Sequence, residues 1–397
     1  MLALGFVRSG ATGIKCAGSL FRISPGILSS ALNVTPVAHL TALSLVETRT
    51  RVKPWPYKEK TYNQFWQFFD HTSKRFDDNT RLIVVDGNIA TGKTEFAKKV
   101  AESFNLLYMP DVHPDEVWLN EDGYDMRKLD EQFSDGPNKS YDLEKFLSDK
   151  NPKNLKVGRP QMLLYYKRFY HYVSALEHIL NTGQGVVMER SVFSDMVFPE
   201  VFAQLGYMTP EALTFYKNML RKNTICDLWK PHLIIYLDAP IATVRENINK
   251  RGIPYEVNSP VLTDDFLRKV DAAYKKKLFP SLRDHTEIIS YDISNLPDWE
   301  IIIEELEELN LVEVESQPEK FKEWRQRRED DFNNYRMVVS MKDTLHPLFL
   351  VEPPLDAPEL MIHGEDLIEL ETVIHNNPGI YYKKGYNPET DNVLFKL

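Results

Sequence analysis

An apolar run, Leu82-Ile83-Val84-Val85-Asp86, passes without a break into Gly87-x4-Gly92-Lys93-Thr94. No other feature of this chain of 397 residues constrains its fold as tightly. A loop of that spacing closes around a phosphate when a buried strand delivers the chain and a helix starts at its end. The backbone N–H groups of Gly87, Asn88, Ile89, Ala90, Thr91 and Gly92 then turn inward. Lys93 reaches the outer phosphates, and the Thr94 hydroxyl is placed to ligate Mg²⁺. Phe96, Ala97, Val100 and Ala101 recur at the spacing of a helix. An ordinary Gly-rich strand–helix turn is the alternative, and the strand before the loop and the helix after it weigh against that.

Composition narrows the classes. A hydrophobic content of 43% with 12% aromatics suits a globular chain with a sizeable core. No stretch reaches the ~18 uninterrupted apolar residues of a membrane span. Cys16 and Cys226 are too few for a disulfide framework or a zinc site. The net charge of −10 argues against nucleic acid as the main partner. That charge is unevenly spread. Residues 1–46 hold Arg8, Lys15 and Arg22 and no acid, in a stretch rich in Ser, Ala, Leu and Gly. This is the composition of a mitochondrial transit peptide, and Leu2, Leu4, Phe6 and Val7 before Arg8 suit a short amphipathic helix. A secretory signal wants a denser apolar run, and a disordered arm is the bland alternative.

Residues 47–80 form a lead-in, with Pro54-Trp55-Pro56 marking irregular chain and Trp66, Phe68 and Phe69 suggesting a docking helix. Strands are expected at Leu82–Val85, Leu106–Met109, Gly185–Met188, Leu233–Leu237 and Ile288–Tyr291. Helices are expected between them, the clearest over Gln161–Leu180, and an acidic amphipathic one over Trp299–Leu311. Continuous apolar strands separated by helices predict an α/β fold, a parallel sheet covered on both faces, over residues 81–312. Residues 313–397 carry Pro347, Pro353, Pro354 and Pro358 between short apolar pieces. With little periodic apolar sequence they are expected as an irregular extension lying on another surface and docking on partner subunits.

Further segments point to a family. Glu189-Arg190-Ser191 follows the third strand, where open sheets place their ligands. Pro160-Gln161 opens the long helix, and a helix after the fourth strand ends in Lys250-Arg251-Gly252. With the phosphate loop, these resemble the deoxynucleoside kinase family over about residues 80–312. The chain is similar over nearly its whole length to one branch of that family, the 42-kilodalton-class accessory subunits of mitochondrial NADH:ubiquinone oxidoreductase, respiratory complex I. Asn181-Thr182-Gly183-Gln184-Gly185-Val186-Val187-Met188-Glu189-Arg190-Ser191, Thr224-Ile225-Cys226-Asp227, Ala273-Tyr274-Lys275-Lys276 and Tyr381-Tyr382-Lys383-Lys384-Gly385-Tyr386-Asn387 carry that likeness.

The resemblance implies roles. Lys93 and Thr94 would hold nucleotide phosphates and Mg²⁺, and Glu189 would bind the metal or its water. Arg190 would steady a phosphate. Gln161 would offer its amide to a nucleobase through two hydrogen bonds. Structural alternatives are a Glu189–Arg190 salt bridge and a solvent-facing Gln161. The branch implies the matrix side of the inner membrane, other complex I subunits as partners and a role in assembly. Flavin (FAD) has been attributed to such subunits, but no Gly-x-Gly-x-x-Gly fingerprint is present. A purine nucleotide (ATP, ADP or a deoxynucleotide) with Mg²⁺ is therefore the expected ligand.

Two departures bear on catalysis. Kinases of the family place a glutamate base after the second strand, shortly before a tryptophan. Here Asp111 stands at that strand end, seven residues before Trp118 and one methylene shorter. A base must come within about 2.6–3.2 Å of the hydroxyl it deprotonates. The family's lid carries arginines at alternate positions, whereas Arg251 is followed by Gly252 and the apolar Ile253. Asp111, Glu189, Arg190 and Arg251 are thus candidates for a vestigial catalytic set. The expectation is a non-catalytic subunit that retains a nucleotide pocket, and the alternative is an active mitochondrial deoxynucleoside kinase.

Overall fold

The computed structural model describes Leu40 and residues 52–120, 122–312 and 317–381. Apart from Leu40, the expected transit peptide and its flank lie outside them, as do all but the first residue of the Tyr381–Asn387 run. Five strands form one parallel sheet: β1 (Leu82–Gly87), β2 (Leu107–Met109), β3 (Val186–Glu189), β4 (Leu233–Asp238) and β5 (Glu287–Asp292). Their order is β2-β3-β1-β4-β5, so the strand bearing the phosphate loop is central. All five expected strands are present, displaced at their ends by a residue or two.

β1 reads as an unbroken apolar run because both its faces are covered. Leu82 and Val84 join a large core with Met188, Ile234 and Tyr236. Ile83 and Val85 face the other way into a second core with Phe96, Ala97, Val100, Ile235, Ile302 and Leu306. The longer helices are α1 (Lys93–Phe104), α2 (Gly158–Thr182), α3 (Val197–Leu205), α4 (Ile241–Arg251), α5 (Asp264–Ala273), α6 (Trp299–Glu308), α7 (Glu329–Ser340) and α8 (Gly364–Asn376). α2 extends the expected Gln161–Leu180 at both ends and stops at Gly183, whose φ is +76°. A Cβ there would lie 2.1 Å from the Arg75 carbonyl oxygen, so only glycine lets the chain turn so close to the lead-in.

Two expectations change. The helix at Trp66, Phe68 and Phe69 is a single 3₁₀ turn, Trp66–Phe68. The Tyr62 hydroxyl donates to the Asp70 carbonyl at 2.9 Å, closing the segment into a loop too short for a longer helix. The extension does lie on another surface, but that surface belongs to the chain itself. Phe332, Tyr335, Val339, Phe349, Ala357 and Leu360 are part of the larger core. Tyr335 stacks on Trp229 with centroids 4.2 Å apart and planes 3° from parallel, and its hydroxyl accepts from the Trp229 amide at 3.0 Å.

Arg336 of α7 locks this arrangement. Its side chain is fully buried and pairs with Asp70 of the lead-in. Its Nε donates to the Asn181 side-chain oxygen at 2.7 Å, and its guanidinium sits 3.6 Å from the Tyr62 ring centre. Lead-in, extension and the last turn of α2 are therefore joined through one buried cation. Its removal leaves Asp70 paired with Arg75 but takes the donor from the buried Asn181 oxygen and opens a cavity, which together cost about 2–4 kcal/mol. Arg336→Ala is expected to lower unfolding free energy by about that amount, read by urea denaturation. A chain ending at Ser316 is expected to lose its cooperative transition altogether.

Candidate functional site

The loop between β1 and α1 takes the shape its spacing implies. Gly87 has φ +157°, and a Cβ on it would meet Thr91 Oγ1 at 2.7 Å and the Leu237 carbonyl at 2.8 Å. Ala90 and Gly92 adopt left-handed backbone angles that turn the chain back on itself. Neighbouring helices brace the loop from outside. Asn88 donates to the Leu267 carbonyl at 2.9 Å, and Asn247 donates to the Ala90 carbonyl at 3.0 Å. The Lys93 ammonium folds back to donate to the Asn88 carbonyl. Burial, with Arg190 as the next cause, pulls its pKa down to about 7. Behind the loop, burial pushes the Asp86 carboxyl up to about 6, although Tyr274 donates to it at 3.1 Å.

Glu189 ends β3 beside the loop. Its Oε2 accepts from Thr94 Oγ1 at 2.9 Å, and its Oε1 accepts from the Tyr108 hydroxyl. The two expected Mg²⁺ ligands are thus neighbours, and a hydroxyl with a carboxylate is the hard-oxygen set that ion prefers. Among the described residues no group of three His, Cys, Asp or Glu side chains could hold a metal by itself. Thr94 and Glu189 would therefore hold Mg²⁺ together with the oxygens of a bound phosphate.

A run of alternating charge leads away from the loop. Arg190, at φ +52°, donates to Asp111 Oδ2 at 2.8 Å. Arg168 contacts both Asp111 oxygens, at 3.2 and 3.1 Å. Burial opposes ionisation of Asp111, yet Arg168 and Arg190 hold its carboxyl below the usual range. Arg168 also donates to Asp195 at 2.6 Å, and Asp195 accepts from the Tyr216 hydroxyl at 2.7 Å. Gln161 is buried, not solvent-facing, and its amide nitrogen is already committed to Asp195 at 3.0 and 3.2 Å. The nitrogen side of its amide is therefore already paired in the unliganded protein, because a buried carboxylate needs donors. The alternative reading of Glu189 and Arg190 as a salt bridge is not what forms; Arg190 pairs with Asp111.

One cavity of about 630 Å³ runs from Ile89–Thr94 past Asp111, Glu189 and Arg190 to Gln161, Phe198 and Phe202, with Asp195 and Tyr216 outside its lining. Gly87 and Asn88 shape the loop from behind that lining. Arg251 reaches the rim, where it forms an ion pair with Glu256. The Gly252 turn carries Ile253 into the start of a short helix, Pro254–Val257. Arg168, Asp195, Tyr108 and Tyr216 escaped the sequence reading. Arg168 did leave a signal: it stands seven residues after Gln161, two turns along the same face of α2. The others left none.

Residues 83–327 match the deoxynucleoside kinase family model. The chain is 31% identical over 322 residues to NADH dehydrogenase (ubiquinone) 1 alpha subcomplex subunit 10, mitochondrial, of Bos taurus, covering 81% of this chain and 88% of that one. The Mus musculus protein of the same description is 31% identical over 320 residues, covering 81% and 84%. The chain belongs to the deoxynucleoside kinase family, in the branch of those alpha subcomplex subunits. A deoxyguanosine kinase of Dictyostelium discoideum is more distant, at 24% identity over 241 residues, 61% of this chain and 74% of that one.

The family's loop lysine has a measurable signature here. A bound polyphosphate favours the ammonium form, so it raises the Lys93 pKa from its unliganded value of about 7. Above that pH, binding must take up a proton, and affinity falls as pH rises, by at most about tenfold per unit. Calorimetry at pH 8 in buffers of differing ionisation enthalpy is expected to register most of one proton taken up per ATP bound. Lys93→Met should abolish both the uptake and most of the affinity. Binding without proton exchange at pH 8 would show that Lys93 is already charged before the nucleotide arrives, and undiminished affinity in Lys93→Met would refute its assignment as the phosphate-contacting cation.

Proposed function

We propose that the protein is a non-catalytic accessory subunit of mitochondrial respiratory complex I, peripheral on the matrix side of the inner membrane. In this reading it supports assembly and stability and keeps a pocket for a purine nucleotide with Mg²⁺. The observation that carries the proposal is the 31% identity to the alpha subcomplex subunit over 88% of that protein's length and 81% of this chain. Among the described residues no helix is long and apolar enough to cross a membrane, which agrees with a peripheral place.

The pocket supports binding better than turnover. Both oxygens of Asp111 are engaged by guanidinium groups, which makes it a weak base. The lid offers Arg251, already paired with Glu256, and the apolar Ile253 in place of a second cation. Phosphoryl transfer is mostly positioning and charge stabilisation, and one arginine can be worth about 10³–10⁵ in rate. The braced loop with Lys93 and Thr94 favours the second reading, an active mitochondrial deoxynucleoside kinase.

Two measurements separate them. On native gels of gently solubilised mitochondria the protein is expected to comigrate with complex I. In a labelled-phosphate assay with all four deoxynucleosides, the purified protein is expected to turn over at least ~10³ more slowly than the roughly 1–100 s⁻¹ usual for kinases. A free species on the gel, together with a rate above about 1 s⁻¹ that Lys93→Ala abolishes, would overturn the proposal.

A further inference from the structure

With the extension folded back on its own domain, the lead-in carries the exposed apolar surface that the fold leaves unused. Phe65, Phe68 and Phe69 are 62%, 76% and 69% exposed. Other exposed large apolar residues, such as Leu296, Ile301, Leu355 and Ile368, are scattered through the chain. These three fall within five residues, and the Phe65 ring centre lies 5.3 Å from that of Phe69 and 5.3 Å from that of Trp66.

The turn stands on a stiff base. Trp66 packs on the buried Trp55 at 5.1 Å, and the Lys60 ammonium lies 3.5 Å from its ring centre. The Trp55 indole donates to the Lys60 carbonyl at 2.8 Å, Gln67 reaches Asn334 of α7 at 3.3 Å, and Tyr62 lies beneath Arg336. Little side-chain freedom remains to be lost on contact, which is how an interface anchor is prepared.

Charge around the turn selects the partner. Lys60 lies on the Trp66 ring of the turn, and Lys53, Lys58 and Lys74 are exposed elsewhere along the lead-in, against Glu59 as its exposed acid and the half-buried Asp77 and Asp78. Asp70 is spent on Arg75 and Arg336. The chain as a whole carries −10, so this rim has the opposite sign to its body. An anionic lipid surface would attract the rim and repel the body, whereas a carboxylate-bordered patch on a protein meets the rim alone. An aromatic centre within a polar border is also the usual anatomy of a protein interface.

We infer that the Phe65–Phe69 turn is a docking face for another protein of the assembly, one that presents an apolar socket bordered by aspartate or glutamate. The inference rests on the accessory-subunit reading for the identity of that assembly. The test places a photoreactive benzoylphenylalanine at position 68 of the full chain, crosslinks it in intact mitochondria and maps the product by mass spectrometry. A crosslink to one apolar, acid-flanked segment of a complex I subunit is the expected result. The same kind of segment on a protein outside complex I would keep the docking face and overturn the subunit reading. Crosslinks to lipid, or none from protein that comigrates with complex I, would overturn the docking face and leave the subunit reading standing. In cells lacking the endogenous copy, Phe65→Ser combined with Phe68→Ser and Phe69→Ser should keep the melting temperature and nucleotide affinity while cutting incorporation at least tenfold. Incorporation equal to wild type would refute the inference, and Ile301→Ser is the exposed control that should incorporate normally.

Discussion

A buried chain of alternating charge, Arg190–Asp111–Arg168–Asp195, holds the binding half of this molecule in register. Each member would be costly to bury alone, and each is tolerated because its neighbour carries the opposite sign. The four residues come from the end of β3, the segment after β2, the middle of α2 and the turn leading into α3. Sheet edge and helices are therefore fixed to one another at the point where the cavity opens. Gln161 and Tyr216 complete the arrangement by giving their donors to Asp195. Most of this network is satisfied from within, which stiffens that wall of the cavity, while Arg190 Nε is left as a buried donor without a partner among the described residues.

The loop at the other end of the cavity behaves differently. It is braced from outside by Asn88 and Asn247, while its lysine is parked on a carbonyl of the loop itself. That ammonium sits in a site that disfavours its charge until an anion arrives, so the ligand and the proton are coupled. The result is one cavity with two unlike ends: a phosphate end whose lysine awaits an anion, and a far wall whose charges are paired with one another, Arg190 Nε excepted. Such a division suits a protein that uses a nucleotide as part of its structure.

The extension changes how the chain must be regarded as a folded unit. Tyr335, Arg336 and Phe349 are spent within the fold, and α8 shelters Leu129 and Phe133 in a small core of its own with Val373, Ile374 and Ile380. α2 is covered on one side by the extension and lines the cavity with another, so a helix of 25 residues is needed to serve both. The lead-in, tied down by Arg336 and Gly183, is left to present its aromatics outward.

The local rules of the sequence determined a good deal. The five strands, their parallel pairing, the phosphate loop and the family follow from apolar runs and fixed spacings, because period and turn chemistry are set by near neighbours along the chain. The fate of Asp111, Gln161 and Phe68 did not follow. Asp111 stands at the end of its strand as expected, but its two guanidinium partners lie 57 and 79 residues away. Gln161 opens its helix as expected, but Asp195 claims its amide from 34 residues on. Nothing near Phe68 says whether the extension, 260 or more residues later, will cover it or pass it by. Which buried charge meets which, and which apolar face is left bare, are properties of chain segments that meet only in the folded molecule. The tertiary structure alone decided them.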